Sequence, residues 1–168
     1  MPGLTPPQLA PLAYTTRSGT VESVHFGAAV GLAADGSITV ALGDPHADVY
    51  PRSSNKPLQA DAMLRLGWAP DAPQLALACA SHAGTPVHLT VVEAMLTRAG
   101  LAVGDLGNTP ALPLDEAAGH DVLRSGGGPA ALFQNCSGKH AAMLATCIAQ
   151  GWPIDDYLAE AHPLQVAI

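Results

Sequence analysis

The stretch YPRSSNKPLQADAMLRLG, residues 50–67, combines the signal for a helix with two side chains capable of chemistry. Pro51 disfavours helical backbone at the residue before it, so a helix is expected to start near Ser53, a good N-cap or first-turn residue. Pro57 then lies in the first turn, where its missing N–H costs little. A buried helix ending at Gly67 is predicted. Its apolar positions are Leu58, Ala62, Leu64 and Leu66.

Ser53 and Lys56 are spaced i,i+3, which places their side chains next to each other on a helix. A serine hydroxyl is a poor nucleophile until a base takes its proton. Lysine can be that base when it loses its charge, which burial and a neighbouring cation favour. The pair therefore predicts a serine nucleophile with a lysine base. The alternative is a serine that only caps the helix beside an exposed lysine.

Cys136 and Lys139 form a second pair with the same spacing, followed directly by His140. They precede an alanine-rich helix that is predicted to run to Gln150 and end at Gly151. A cysteine at a helix N-terminus beside a cation favours the thiolate, which acts as a nucleophile or as a zinc ligand. A small buried cysteine in a turn is the alternative. Lys56 and Lys139 are the only two lysines of the sequence.

The bulk composition describes a globular protein and excludes some partners. Of the 168 residues, 48% are hydrophobic and 12% are charged, which is enough for one domain with a core. The net charge of -7 argues against nucleic acid or an anionic membrane as a partner. No apolar stretch is long enough to span a bilayer, and no secretory signal is visible. Three cysteines without a short-spaced framework favour free thiols in the cytoplasm.

Other local patterns outline the rest of the chain. Residues 1–13 are rich in proline and are expected to be a flexible lead-in. Residues 74–80 suit a strand or the start of a buried helix, and Ser81-His82 follow as a polar pair that could reach a cleft or simply close a turn. The further predictions are a strand over 21–32, a turn at Ala34-Asp35-Gly36, a strand over 37–42, a helix over 87–99 capped by Thr85, a long connection over 101–129, a helix from Asp155 or Asp156 to Ala161, and a helix starting at Pro163.

Four segments together strongly resemble one family, the L-asparaginases of the Rhizobium etli type, also called the L-asparaginase II family. They are VESVHFGAAVGLAADG, ALGDPHADVYPRSSNKPLQA, ALACASHAGTPVH and NCSGKHAAMLATC. The resemblance covers nearly the whole chain, from about Arg17 to the final HPLQ. It implies an α/β (α+β) fold similar to the serine β-lactamases and penicillin-binding proteins, and hydrolysis of L-asparagine to L-aspartate and ammonia.

The resemblance also implies roles for individual residues. Ser53 matches the nucleophile and Lys56 its base, while Ser81 matches a second catalytic serine whose lysine partner comes from a later part of the family's chain. Cys136 and Lys139 match two ligands of a zinc ion whose third ligand, another cysteine, also lies later. Arg52 and His140 match positions that line the substrate pocket in that family.

Members of that family are roughly twice as long, so residues 1–168 are expected to form the N-terminal part of the domain, without its C-terminal half. Such a chain is expected to form a homodimer or to associate with the missing half. Two alternatives follow: an inactive remnant or half-domain that needs a second chain, and a penicillin-interacting serine acyl transferase. The second lacks support because no K-T-G or S-D-N motif follows the S-x-x-K.

Overall fold

The computed structural model describes residues 8–168. Strands occupy the first part of these residues and helices the rest, which confirms an α+β architecture. The chain divides into two compact units, Met1–Pro51 and Arg52–Ile168. None of the helices in the described part is both long enough and apolar enough to cross a bilayer.

The first unit contains two antiparallel hairpins. Strand β1 (Ala10–Arg17) pairs with β2 (Thr20–Gly27), and β3 (Ala29–Leu32) pairs with β4 (Ile38–Leu42). The prediction of one continuous strand over 21–32 was therefore wrong, because its two halves pair with different partners. The turn at Ala34-Asp35-Gly36 is confirmed, with Gly36 at a positive φ of 84°.

The predicted flexible lead-in falls partly on residues 1–7, which lie outside the described residues. From Ala10 onward the chain is strand β1 instead. Its proline, Pro11, lies where the pairing register shifts, a position at which a missing N–H does not interrupt a ladder. Within residues 8–51 no residue is buried, as expected for two-stranded hairpins with no core of their own.

The second unit is a cluster of six helices. They are α1 (Lys56–Arg65), α2 (Ala72–Ala78), α3 (Pro86–Arg98), α4 (Glu116–Arg124), α5 (Ser137–Gln150) and α6 (Pro163–Ala167). Single 3-10 turns form at Arg52–Asn55, Val103–Asp105 and Ala131–Phe133. The predicted helices after Pro51, Thr85, Cys136 and His162 are thus confirmed.

Helix α5 lies at the centre of this unit and packs against α1, α2 and α3. Its buried side chains include Met143, Leu144 and Cys147, and it ends at Gly151, whose φ of 67° is the left-handed conformation that favours glycine. The first turn of α5 approaches α2 so closely that a Cβ on Gly138 would lie 2.8 Å from Leu77 Cγ. This close approach places the Cys136–His140 segment beside the end of α2.

At three segments the structure either differs from the sequence prediction or decides between its alternatives. Residues 74–78 belong to helix α2, whose start is fixed by a capping box of Asp71 and Gln74, and residues 79–80 form the turn that follows it. The connection predicted over 101–129 contains α4, which begins where the Asp115 carboxylate accepts a hydrogen bond from the Ala118 N–H. The helix predicted to end at Ala161 is absent, and residues 155–161 form turns.

Candidate active site

Lys56 is a buried lysine at the start of α1, with only 2% of its surface exposed. Its amine donates hydrogen bonds to the Ala80 carbonyl oxygen at 2.6 Å and to Ser81 Oγ at 3.0 Å. Both acceptors belong to the turn that follows α2. Because a buried amine without hydrogen-bond acceptors is strongly disfavoured, this turn is what permits lysine at the position.

Ser53 and Arg52 lie in the exposed 3-10 turn directly before α1. Arg52 adopts a positive φ of 52°, in a region that residues with a Cβ rarely occupy. Within residues 8–168 its guanidinium forms no salt bridge, and no hydrogen bond joins the Ser53 hydroxyl to Lys56. The structure thus bonds the lysine to Ser81, whereas the sequence spacing suggested Ser53.

The Ser81 turn is attached to the start of α5 by His82, which is 3% exposed. The His82 backbone N–H donates to the Asn135 carbonyl oxygen at 3.1 Å, and ring Nε2 lies 2.9 Å from Ser137 Oγ. Burial, with smaller contributions from the charges of His88 and Lys56, lowers the His82 pKa from 6.5 to about 4. The ring is therefore neutral near pH 7.

The ring of His140 is held by the phenol of Tyr157, which lies 17 residues further along the chain. Its Nδ1 lies 2.9 Å from Tyr157 Oη, and the same oxygen accepts a hydrogen bond from the Gly107 N–H at 2.9 Å. Burial first, then the charges of Lys139 and Lys56, lowers the His140 pKa to about 4. Tyr157 thus engages Nδ1 of the neutral ring and leaves Nε2 for a different partner.

Cys136 and Lys139 lie at the N-cap and in the first turn of α5. Burial lowers the pKa of Lys139; Cys136 opposes this shift, and the charge of Lys56 adds to it. Lys56 thus affects the pKa of His82, Lys139 and His140, which shows that both lysines of the chain and two histidines are neighbours in one region.

The residues in this region supply only part of a zinc site. A thiolate and a neutral amine on one helix turn can both donate electron pairs, whereas structural zinc takes four ligands and catalytic zinc three from the protein. Within residues 8–168 no group of three or more His, Cys, Asp or Glu could hold a metal ion. Cys147 is no substitute, since it is fully buried and burial raises its pKa to about 11. Cys79, Cys136 and Cys147 are all free, as predicted.

Ser81 and His82 also border an open cleft of about 470 Å³ between α2 and α3. Its walls are mostly apolar, formed by Leu77, Val87 and Val91 among others. Ser81 is an exposed residue at the edge of this cleft.

Sequence reasoning missed three residues that organise the region: His82, Ser137 and Tyr157. His82 was noted only as one member of a polar pair, and Ser137 only as part of a motif. No local pattern marks Tyr157, because its two partners lie 50 and 17 residues away in the chain.

Comparison with models of protein families identifies the family of the chain. The model of the L-asparaginase II family matches residues 13–168, and the chain therefore belongs to that family. A search of curated proteins finds no match to the chain.

Proposed function

We propose that this chain belongs to an L-asparagine amidohydrolase that works through a serine acyl-enzyme. The observation that supports this most is the environment of Lys56. Only 2% of this lysine is exposed, and its amine is hydrogen-bonded to the Ser81 hydroxyl at 3.0 Å. Family membership supports the asparaginase activity in general terms. The serine–lysine route is an inference from the residues.

In the proposed mechanism Ser53 is the nucleophile and Lys56 the base. The neutral amine of Lys56 takes the Ser53 proton as Oγ attacks the side-chain amide carbon of asparagine. The tetrahedral intermediate collapses, the carbon–nitrogen bond breaks, and the ammonium of Lys56 returns the proton to the departing ammonia. Water, deprotonated by the same amine, then hydrolyses the aspartyl ester and releases aspartate. Backbone N–H groups at the start of α1 would hold the oxyanion.

Ser81 has a supporting part in this proposal. Together with the Ala80 carbonyl oxygen, its hydroxyl holds the Lys56 amine at one place. A base with a flexible four-carbon side chain gains in efficiency when its position is fixed before the reaction. Ser81 is therefore proposed to orient the base, and to pass protons to it.

Substrate recognition is assigned to Arg52 and His140. Arg52 has no carboxylate partner in the described part of the chain, so its guanidinium is free to hold the α-carboxylate of asparagine in a bidentate pair. Nε2 of His140, with Tyr157 fixing the ring from the other side, can form a hydrogen bond with the substrate.

Cys136 and Lys139 are proposed as two ligands of a zinc ion, the remaining ligands coming from outside residues 8–168. When bound, zinc would supply a fixed positive charge beside the pocket. No reaction step is assigned to it. A fold similar to the serine β-lactamases, a homodimeric assembly and a cytoplasmic location are proposed along with this function.

The test of the proposal is asparagine hydrolysis by Ser53→Ala, measured as ammonia release. We expect turnover to fall by a factor of about 10⁴ or more, because removing the nucleophile abolishes the covalent route. Ser54→Ala, from the same exposed turn, is the matched control and should retain near-normal turnover. Near-normal turnover of Ser53→Ala would discard the assignment, and an aspartyl adduct on Ser81 in mass spectra would transfer the role to that residue.

A second candidate is a half-domain that becomes active only with a second chain. The strands of the first unit favour it, because large apolar side chains such as Phe26, Val30 and Val40 are exposed there. Exposed apolar surface of this kind usually marks an interaction site. If this candidate holds, the 168-residue chain alone will release no ammonia from asparagine and will gain activity when the partner is added.

A further inference from the structure

His82 connects two parts of the proposed site that are distant in sequence. Its neighbours Ala80 and Ser81 provide both acceptors of the Lys56 amine. Its ring reaches Ser137, 55 residues further along the chain, in the first turn of α5. That turn also contains Lys139 and His140. A single buried side chain thus spans the boundary between the serine turn and the helix.

The hydrogen-bond pattern defines which nitrogen of His82 bears the proton. Nδ1 accepts a hydrogen bond from the Gly84 N–H at 3.1 Å, so it has no proton of its own. The Ser137 hydroxyl donates to the Leu132 carbonyl oxygen at 2.8 Å, so its oxygen accepts from Nε2–H of His82. Every polar atom in this chain of bonds has a partner of the right kind, and the Ser137 hydroxyl has two. A protonated ring would face the Gly84 N–H with a second donor, which explains why only the neutral ring fits.

We propose that His82 is a positioning residue: its Nε2–H bond to Ser137 holds the Ala80–Ser81 turn against α5 and thereby sets the position of the Lys56 amine. This inference rests on the proposed function for its catalytic consequence. The geometric part, in which the His82–Ser137 bond controls the surroundings of Lys56, stands on the contacts alone. Ser81 itself is exposed and borders an open cleft, so the turn is anchored through its neighbour His82, by the ring bond to Ser137 and by the backbone bond to Asn135.

The composition of the chain makes a direct measurement simple. Lys56 and Lys139 are its only lysines, so lysine labelled with ¹³C at Cε gives two methylene signals. Lys139→Arg removes one signal and thereby identifies the other. The position of the Lys56 signal then reports on the surroundings of its amine, with no need for enzymatic activity.

Three variants separate the hydrogen bond from the bulk of the ring. Ser137→Ala removes the acceptor. His82→Asn keeps an acceptor for the Gly84 N–H but is too short to reach Ser137, whereas His82→Gln places an amide N–H at the reach of Nε2. We expect Ser137→Ala and His82→Asn to shift the Lys56 signal and to lower kcat by about 10²-fold, with KM changed little, because the base is misplaced. His82→Gln should restore most of the parent's Lys56 signal position and most of its kcat. Should Ser137→Ala fail to fold, the comparison of the two His82 variants decides the question.

The control is Thr146→Val in the same helix. Thr146 is also fully buried, and its hydroxyl donates to the Ala142 carbonyl oxygen within α5. Its loss should lower thermal stability and leave the Lys56 signal and kcat unchanged. The proposal is overturned if Ser137→Ala behaves like Thr146→Val, or if His82→Gln and His82→Asn have equal effects. If the parent chain releases no ammonia from asparagine, the proposed function fails while the lysine signals still test the positioning role.

Discussion

The amine of Lys56 and the hydroxyl of Ser81 lie 3.0 Å apart, although 25 residues separate them in the chain. The lysine belongs to the first turn of α1 and the serine to the turn after α2. Packing of both helices against α5 brings them together. A buried amine whose partners are a hydroxyl and a carbonyl oxygen, without a carboxylate, is costly for stability and is therefore a candidate for function.

Replacing Lys56 by methionine should separate activity from stability. We expect asparagine hydrolysis to fall by about 10²- to 10⁴-fold, the usual contribution of a general base. The free energy of unfolding should stay the same or rise, because an apolar side chain of similar length removes the cost of burying the amine. Activity assays and urea unfolding measure the two effects. Arg65→Met at the exposed end of α1 is the control, and a Lys56→Met protein that is as active as this control contradicts the assignment.

Arg52 should respond differently to glycine and to alanine. Its φ of 52° is strained for any residue with a Cβ, so Arg52→Gly should be more stable than Arg52→Ala by about 1 kcal/mol. Both variants lose the guanidinium and should raise the KM for asparagine at least tenfold while they change kcat less. Thermal unfolding and steady-state kinetics provide the readouts. Equal stability of the two variants would show that the turn relaxes without glycine.

Gly138 should tolerate no side chain. An added Cβ would lie 2.8 Å from Leu77 Cγ and 2.9 Å from the Leu77 carbonyl oxygen, so α5 would have to move away from α2. We expect Gly138→Ala to destabilise the protein by about 1–3 kcal/mol in urea unfolding. Gly104→Ala has open space around the new Cβ and should be nearly neutral. A Gly138→Ala protein as stable as Gly104→Ala would mean that the two helices are less closely packed than described.

Acid should destabilise the protein partly through His82. Its pKa is about 4 when folded, below the ordinary value of 6.5, so the unfolded chain binds the proton more readily. The stabilisation is fully present above pH 6.5 and is lost as the pH falls from there toward 4, with a size on the order of 1–3 kcal/mol. Urea unfolding at a series of pH values should show a shallower slope for His82→Gln than for the parent in this window. Thr146→Val, which removes another buried hydrogen bond but no titratable group, should keep the parent's slope.

Zinc content should depend on Cys136. If Cys136 and Lys139 are ligands, a protein that also contains the remaining ligands will retain zinc after dialysis, and Cys136→Ser will lower the bound amount by about tenfold or more. The amount of zinc bound per protein chain is measured by mass spectrometry. Cys79→Ser is the control, because Cys79 is also a free, partly exposed thiol. Equal zinc in both variants contradicts the proposed ligand.

Much of the local structure could be predicted from the sequence because it depends on neighbouring residues. Thr85 and Pro86 mark the start of α3, and Gly151 marks the end of α5 through a conformation that glycine adopts without strain. Where a cap signal was overlooked, as at Asp115, a helix was missed. Where tertiary contacts dominate, as around Tyr157, a helix predicted from its first residues did not form.

The sequence by itself identified the family, through motifs between Val21 and Cys147, and it identified the two lysines as the unusual side chains. Only the tertiary structure showed that the hydroxyl bonded to Lys56 belongs to Ser81. It also showed that a neutral His82 joins the serine turn to α5. The physical reason is that helical spacing predicts contacts within one turn, whereas hydrogen bonds across 25 or 55 residues depend on how helices pack.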